Sequence, residues 1–256
     1  MKKYPQLGLI VLLSACTLLG PVSITMYTPS MPAIAAGLGA TLPSVQNTLA
    51  IFLLGFGIAH FLWGPLSDRF GRRPVILVGL ALYTLSALAC AHSTTIGELQ
   101  LARFFQGAMA CSGPLIARAI VRDRFEGAEA LQVFSFIGII LILAPVLGPL
   151  VGGELQVWFD WQAGFYVLVG WGALMLALCG IFLRESNANP IDTLSFRSLI
   201  KIYGELLRNK SYAGAVLVVG FIFSGFLSFQ GFTPFLLVDE LSMRPNHFGL
   251  LKKICG

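Results

Sequence analysis

The chain has 256 residues, of which 56% are hydrophobic and only 11% charged, against about 25% charged in an ordinary soluble domain. That balance excludes a water-soluble globular fold and places most of the chain in lipid. The formal net charge of +5 comes from 17 Lys and Arg against 12 Asp and Glu. The basic residues gather in the connections between apolar runs, which marks a topology signal and excludes a nucleic-acid footprint.

Seven apolar segments are predicted as helices, at 7–26, 45–66, 74–92, 98–120, 131–153, 162–183 and 212–237. Each is close to the about 20 residues a helix needs to cross hydrocarbon. Helix is also the conformation the bilayer allows, because backbone groups must be satisfied within each segment. The first segment follows Lys2 and Lys3. Leu13-Ser14-Ala15-Cys16 would suit a lipoprotein signal, but the apolar run continues to Met26, past the about 7–15 residues of a signal core, so it reads as a membrane helix. Arg69, Arg72 and Arg73 follow segment 2, and Arg118, Arg122 and Arg124 follow segment 4. Arg184, Arg197, Lys201, Arg208 and Lys210 follow segment 6, whereas the first, third and fifth connections carry no Lys or Arg. The rule that basic loops stay inside gives a multi-pass protein with a cytoplasmic N-terminus. Gly-Pro occurs at 20–21, 64–65, 113–114 and 148–149, in segments 1, 2, 4 and 5 and not in 3 or 6, which reads as an inverted three-plus-three repeat.

Within these segments a few residues stand out. Segment 2 ends in Gly64-Pro65-Leu66-Ser67-Asp68-Arg69-Phe70-Gly71-Arg72-Arg73-Pro74, with its charges on a predicted short turn tightened by Gly71. Arg103, Gln106, Gly107 and Ala110 share one face of segment 4, expected to line a cavity, with Phe104 and Phe105 pointing elsewhere. An Arg inside an apolar segment needs water, a carbonyl or an acid, which makes Arg103 a functional candidate; snorkelling to the outer interface is the alternative. No Asp or Glu lies deep in the first six segments, since Glu98, Glu154 and Asp160 sit near outer ends. An acid at that rim is the expected partner of Arg103. Gly148, Gly152 and Gly153 allow close helix approach, and Pro145 and Pro149 allow a bend. Met26, Tyr27, Gln106 and Phe136 are the remaining candidates for a substrate cavity, where adaptable Met and aromatic side chains would accommodate varied apolar molecules. His60 in segment 2 reads as a packing histidine, with a relay role as the alternative. The five cysteines show no paired spacing and imply neither a disulfide nor a metal site.

Several of these runs together resemble one family. The run at 64–74 resembles the loop between helices 2 and 3 of the major facilitator superfamily. Leu101-Ala102-Arg103-Phe104-Phe105-Gln106-Gly107 and Arg118-Ala119-Ile120-Val121-Arg122-Asp123 resemble its drug-efflux members, the second being similar to the Bcr/CflA drug-resistance subfamily of bicyclomycin and chloramphenicol resistance type. Ala144-Pro145-Val146-Leu147-Gly148-Pro149-Leu150-Val151-Gly152-Gly153 is similar to the antiporter motif of exporters, and Tyr27-Thr28-Pro29-Ser30-Met31-Pro32 fits the same subfamily. The resemblance covers residues 7 to about 250. It implies an all-α polytopic fold, with an N-terminal six-helix bundle at 1–183, a cytoplasmic linker at 184–211 and the start of a second bundle at 212–256. It also implies a bacterial inner-membrane exporter of small-molecule drugs, driven by the proton gradient without a cofactor. Gly64, Asp68, Arg69, Gly71, Arg72 and Arg73 would form its cytoplasmic gate, and Arg103 its proton-coupling residue. Many relatives carry an Asp where this chain has Thr25, which bears on proton coupling.

Other classes fit less well. A seven-helix receptor or retinal protein would need the opposite orientation, and segment 7 lacks a Lys for a Schiff base. The chain shows no Gly-x-Ser-x-Gly, His-Glu-x-x-His or phosphate-loop pattern of an enzyme. Lys252 and Lys253 would break the charge rule in an eighth helix, so the expectation is a chain truncated near residue 250, with an inert remnant of such a transporter as the alternative.

Overall fold

Proline explains where the helices of this chain break. The computed structural model describes residues 7–187, 204–205 and 208–234, and these contain helices and no strand. The first predicted segment is two helices, α1 (Leu7–Thr17) and α2 (Leu19–Thr25), continued by a 3-10 turn at Thr28–Ser30 and by α3 (Met31–Gly37). The two halves of this first span meet at 41°. Pro21 has no N–H for the Thr17 carbonyl one turn earlier, and its ring crowds that carbonyl, so the helix parts there. The span also outlasts its predicted end at 26, because Pro29 and Pro32 fall in the first turn of the two following pieces, where a missing N–H costs nothing.

The next spans are α4 (Leu42–Phe70) and α5 (Arg72–Ala91). The fourth span is again divided, into α6 (Ile96–Ala110) and α7 (Ser112–Arg124), and Pro114 stands to Ala110 as Pro21 stands to Thr17. Then come α8 (Gly127–Trp158), α9 (Gln162–Phe182) and α10 (Lys210–Pro234). The three-plus-three pattern is thus visible in the helices. Spans 1 and 4 are both parted one turn before a Gly-Pro. Spans 2 and 5, of 29 and 32 residues, run unbroken through Pro65 and through Pro145 and Pro149. Spans 3 and 6 are shorter, at 20 and 21 residues. Among the described residues five spans are long and apolar enough to cross a membrane, and the bent first pair makes a sixth. The seventh helix, α10, approaches the bundle at the Thr28–Ser30 turn. The predicted linker at 184–211 falls largely, and the truncated eighth helix wholly, outside the described residues.

The charged run after segment 2 is not a turn of several residues. Asp68 and Arg69 belong to the last turn of α4, Arg72 and Arg73 to the first turn of α5, and Gly71 alone joins them. Its φ of 94° lies in the region that a side chain disfavours, which lets one residue reverse the chain.

Two apolar clusters fill the bundle. One, around Leu13, Trp63, Ile76, Ile116 and Leu183, lies toward the arginine-rich end. The other, around Ile34, Val45, Leu99, Trp161 and Phe165, lies toward the opposite end. Between them α4 crosses α6 with backbones in contact. A Cβ on Gly107 would fall on the Phe52 carbonyl, and one on Gly55 on the Phe104 carbonyl. Trp63 Nε1 donates to the Ala108 carbonyl at 2.7 Å beside this crossing. The crossing sets Phe52 directly over the residue described next.

Candidate functional site

Arg103 sits on α6 at the seam between the two apolar clusters, with no accessible surface. The snorkelling alternative is therefore overturned. Its guanidinium carbon lies 4.4 Å from the ring centres of both Tyr27 and Phe52 and 5.9 Å from that of Phe165. Nη1 donates to the Ser23 carbonyl at 3.2 Å and to Gln106 Oε1 at 2.8 Å. Nε and Nη2 reach no oxygen acceptor. The negative faces of the flanking rings take that place, an interaction of about 2 kcal/mol when desolvated. The cage is held from behind: Tyr27 Oη and Thr48 Oγ1 are 2.6 Å apart, and Ser23 Oγ and Tyr83 Oη 2.7 Å. Gln106 Oε1 also accepts from Cys90 Sγ at 3.6 Å. No carboxylate among the described residues, the expected rim acids Glu98, Glu154 and Asp160 included, pairs with Arg103. Nor does its face line an open cavity. Arg103, Gln106 and Ala110 are wholly buried, and Gly107 lies against α4.

The other candidates divide in the same way. Met26 and Tyr27 are 3% and 4% exposed, inside the bundle, whereas Phe136 on α8 is 38% exposed. Gly148 and Gly152 face Thr25 and the Met26 backbone so closely that neither has room for a Cβ. Thr25 Oγ1 donates to the Pro21 carbonyl at 3.0 Å and, across the interface, to the Ala144 carbonyl at 3.1 Å. Gly153 is buried on the same helix, which Pro145 and Pro149 leave continuous. Thr25 therefore ties α2 to α8 through a neutral hydroxyl. Among the described residues four cysteines are free and buried; Cys16 and Cys179 nonetheless meet, sulfur to sulfur at 3.6 Å, a contact that sequence spacing does not reveal.

At the arginine-rich end the charges form a clamp across four helices. Arg72 pairs with Asp68 one turn before it, and its Nη1 donates to Ser67 Oγ at 2.7 Å. Its Nε donates to Asp123 Oδ2 on α7 at 3.0 Å. Arg73 Nη2 donates to the Gly180 carbonyl of α9 at 2.7 Å. Glu185, just past α9, is the member that the sequence reading missed. Its carboxylate accepts from the Arg72 and Arg73 backbone N–H groups at 2.9 and 3.0 Å, capping the exposed start of α5. It also accepts from the N–H groups of Ser186 and Asn187, each at 2.9 Å. Partial burial pushes this carboxyl up, but the four backbone donors outweigh it and hold it below the ordinary carboxylate value. Arg124 Nη2 reaches the Glu185 carbonyl at 2.8 Å, and Asn187 Nδ2 the Asp68 carbonyl at 2.8 Å. Gly64 packs near Leu115, and Arg69 lies over the Phe70 ring with its guanidinium 5.1 Å from the ring centre. An acid directly after an apolar segment, beside Arg184, was the available signal for Glu185.

An all-α bundle of membrane-spanning helices with an arginine caged at its seam and an ionic clamp at one end has the build of a membrane transport protein. Comparison with known proteins narrows that class. The model of the Major Facilitator Superfamily matches residues 13–252. The uncharacterized MFS-type transporter YdgK of Bacillus subtilis is 38% identical, covering 98% of this chain and 63% of its own length. The bicyclomycin resistance protein homolog of Haemophilus influenzae is 32% identical, with 94% and 61% covered. The multidrug resistance protein MdtL of Klebsiella pneumoniae is 31% identical, with 89% and 57% covered. Among solved structures, a D-xylose-proton symporter superposes with a TM-score of 0.73 at 17% identity over 96% of this chain and 65% of its own, a likeness of fold. The chain belongs to the major facilitator superfamily, a family of transporters and not of enzymes, and it spans about three-fifths of the length of the curated relatives it matches.

Proposed function

We propose that this chain forms the first bundle of a multidrug efflux transporter that exports amphipathic small molecules in exchange for protons across a bacterial inner membrane. The observation that carries the reading is the alignment of nearly the whole chain with proteins named for bicyclomycin and multidrug resistance. In this reading the arginine-rich end faces the cytoplasm, as the placement of Lys and Arg favours. Residues 1–183 act as one six-helix unit, 184–211 as a linker, and 212–256 begin a second bundle. Gly64, Asp68, Arg69, Gly71, Arg72 and Arg73 then belong to a cytoplasmic gate, and Met26, Tyr27, Gln106 and Phe136 to the substrate cavity, Phe136 being the exposed one of the four. Arg103 acts from inside the bundle. Held between Tyr27 and Phe52, it joins the first span to the second and fourth, so that a shift of the first span moves the cage. Gly148 and Gly152 let α8 follow the first span at backbone contact.

The test is retention of a fluorescent lipophilic drug in cells that express this bundle together with a complete second bundle, with and without a protonophore, for the wild type and for Arg103→Ala and Arg103→Lys. Wild-type cells should retain less drug than cells without the protein, and the protonophore should abolish the difference. Arg103→Ala should lose export and Arg103→Lys should recover only part of it, because an ammonium lacks the planar fork that the two rings sandwich. Export by Arg103→Ala equal to wild type would remove Arg103 from the mechanism; no export by the wild type would overturn the reading itself.

A further inference from the structure

Proton exchange needs a group that gains and loses a proton at ordinary pH, and Arg103 is not one, because a guanidinium stays protonated in proteins. Among the described residues His60 on α4 is the imidazole within a membrane span, while His92 caps the far end of α5. Imidazole is the side chain whose charge ordinarily changes between about pH 5 and 8. The sequence leaves His60 as a packing residue or a relay, and its surroundings decide between them.

His60 Nδ1 lies 2.9 Å from the Phe56 carbonyl and 2.9 Å from Cys111 Sγ. A carbonyl oxygen only accepts, so Nδ1 carries a proton and the sulfur is its second acceptor. The lone pair of neutral His60 is then on Nε2. Among the described residues that atom has no hydrogen-bond partner and is not an enclosed unsatisfied group, and His60 is only half-buried. The ring is braced by Phe56, with centroids 4.9 Å apart. Cys111 is the residue at which the fourth span parts into α6 and α7. A proton arriving on Nε2 would charge the ring and strengthen both Nδ1–H bonds, one of which ends on that break.

Few other charges face this pair. The charged side chains of α7 are Arg118, Arg122, Asp123 and Arg124, and those of α6 are Glu98 and the caged Arg103. On α4 the nearest acid is Asp68, two turns along and already paired with Arg72. The first span, which packs on Phe56 through Gly20, carries no charged side chain from Leu7 to Gly37.

We propose that His60 is a proton-binding site whose charge state is transmitted to the break in the fourth span through Cys111. Resting on the export reading above, it is also the residue through which this bundle exchanges a proton for drug. The experiment uses the full chain, with isotope-labelled histidine, in phospholipid nanodiscs. Imidazole nitrogen and carbon resonances are followed from pH 5 to 8.5, and His60 is assigned by the signal missing from His60→Gln. The expected result is conversion of an Nδ1–H neutral ring to imidazolium within that range. In Cys111→Ala its midpoint should move by about 0.5 pH unit, about threefold in proton affinity. A His60 signal that keeps one form throughout, or a midpoint indifferent to Cys111→Ala, overturns the site. Proton uptake per drug exported, measured in proteoliposomes, separates the two readings. Export with an unchanged proton ratio in His60→Gln overturns the coupling role while the export reading stands. A titrating, Cys111-linked His60 in a transporter with both bundles that exports nothing supports the site and overturns the export reading.

Discussion

Gly55→Ala and Gly107→Ala should each destabilise the bundle, and together they should cost clearly less than the sum. At each position the new methyl group would land on backbone of the facing helix, Phe104 for Gly55 and Phe52 for Gly107. Backbone cannot swing aside as a side-chain tip can, so α4 and α6 must move apart. Overpacking of this kind costs about 1–3 kcal/mol, and the better helix propensity of Ala returns at most about 1 kcal/mol. A net loss of about 1–2 kcal/mol is expected for either substitution. Because one separation relieves both overlaps, the second substitution should add little, giving a coupling of about 0.5 kcal/mol or more. Equilibrium unfolding in dodecylmaltoside micelles titrated with sodium dodecyl sulfate, followed by far-ultraviolet circular dichroism, measures all four corners of the cycle. Gly57→Ala is the control, since nothing lies within 4 Å of a Cβ there; it should be neutral or slightly stabilising. Neutral single substitutions, or effects that add within about 0.3 kcal/mol, would refute a backbone-contact crossing.

Two more expectations concern the clamp. Arg72→Ala should cost about 1.5–3 kcal/mol in the same assay, the range for hydrogen bonds to charged groups, because Arg72 is 11% exposed in its side chain and bridges Asp68 and Asp123. Arg72→Lys should restore less than half, since an ammonium cannot serve Ser67, Asp68 and Asp123 from one planar fork; full restoration would show that charge alone matters. Glu185 supplies the pH dependence. Its folded-state value is depressed, so its contribution is present above the ordinary carboxylate value of about 4.3 and is lost as pH falls below it. Glu185→Gln should therefore lower stability at pH 7 and converge with wild type near pH 4 or below; parallel curves across that range would remove Glu185 as a charged cap.

The first six spans were legible because lipid imposes one length and one conformation on every crossing segment. Helix ends were less so. Hydropathy marks only the apolar part of a helix, whereas α4 keeps its turns through Asp68 and Arg69, and α8 extends from Gly127 to Trp158. The bend after Thr17 and the interruption of the helix at Cys111 were implicit in Pro21 and Pro114 and needed only the rule that proline disturbs the carbonyl one turn earlier. The surroundings of Arg103 were harder to foresee. Its spacing with Gln106 and Gly107 is the same whether that face meets a cavity or a neighbouring helix, and the decision rests on Phe52 and Tyr27, contributed by other spans. Glu185 lies 113 residues from Arg72, a distance over which no local pattern speaks.

That separation also orders the assembly of the chain. With Gly71 as the whole connection, α4 and α5 have no slack to enter the bilayer independently and are inserted as a hairpin. Synthesis proceeds from the N-terminus, so the first N–H groups of α5 emerge well before the carboxylate that caps them. Until α9 has been made, Arg72 has Ser67, Asp68 and Asp123 as partners, while Arg73 still lacks both the Gly180 carbonyl and the Glu185 carboxylate. Closing of the Glu185 cap is therefore a late event in biogenesis, and it marks the point at which the sixth span has docked on the third.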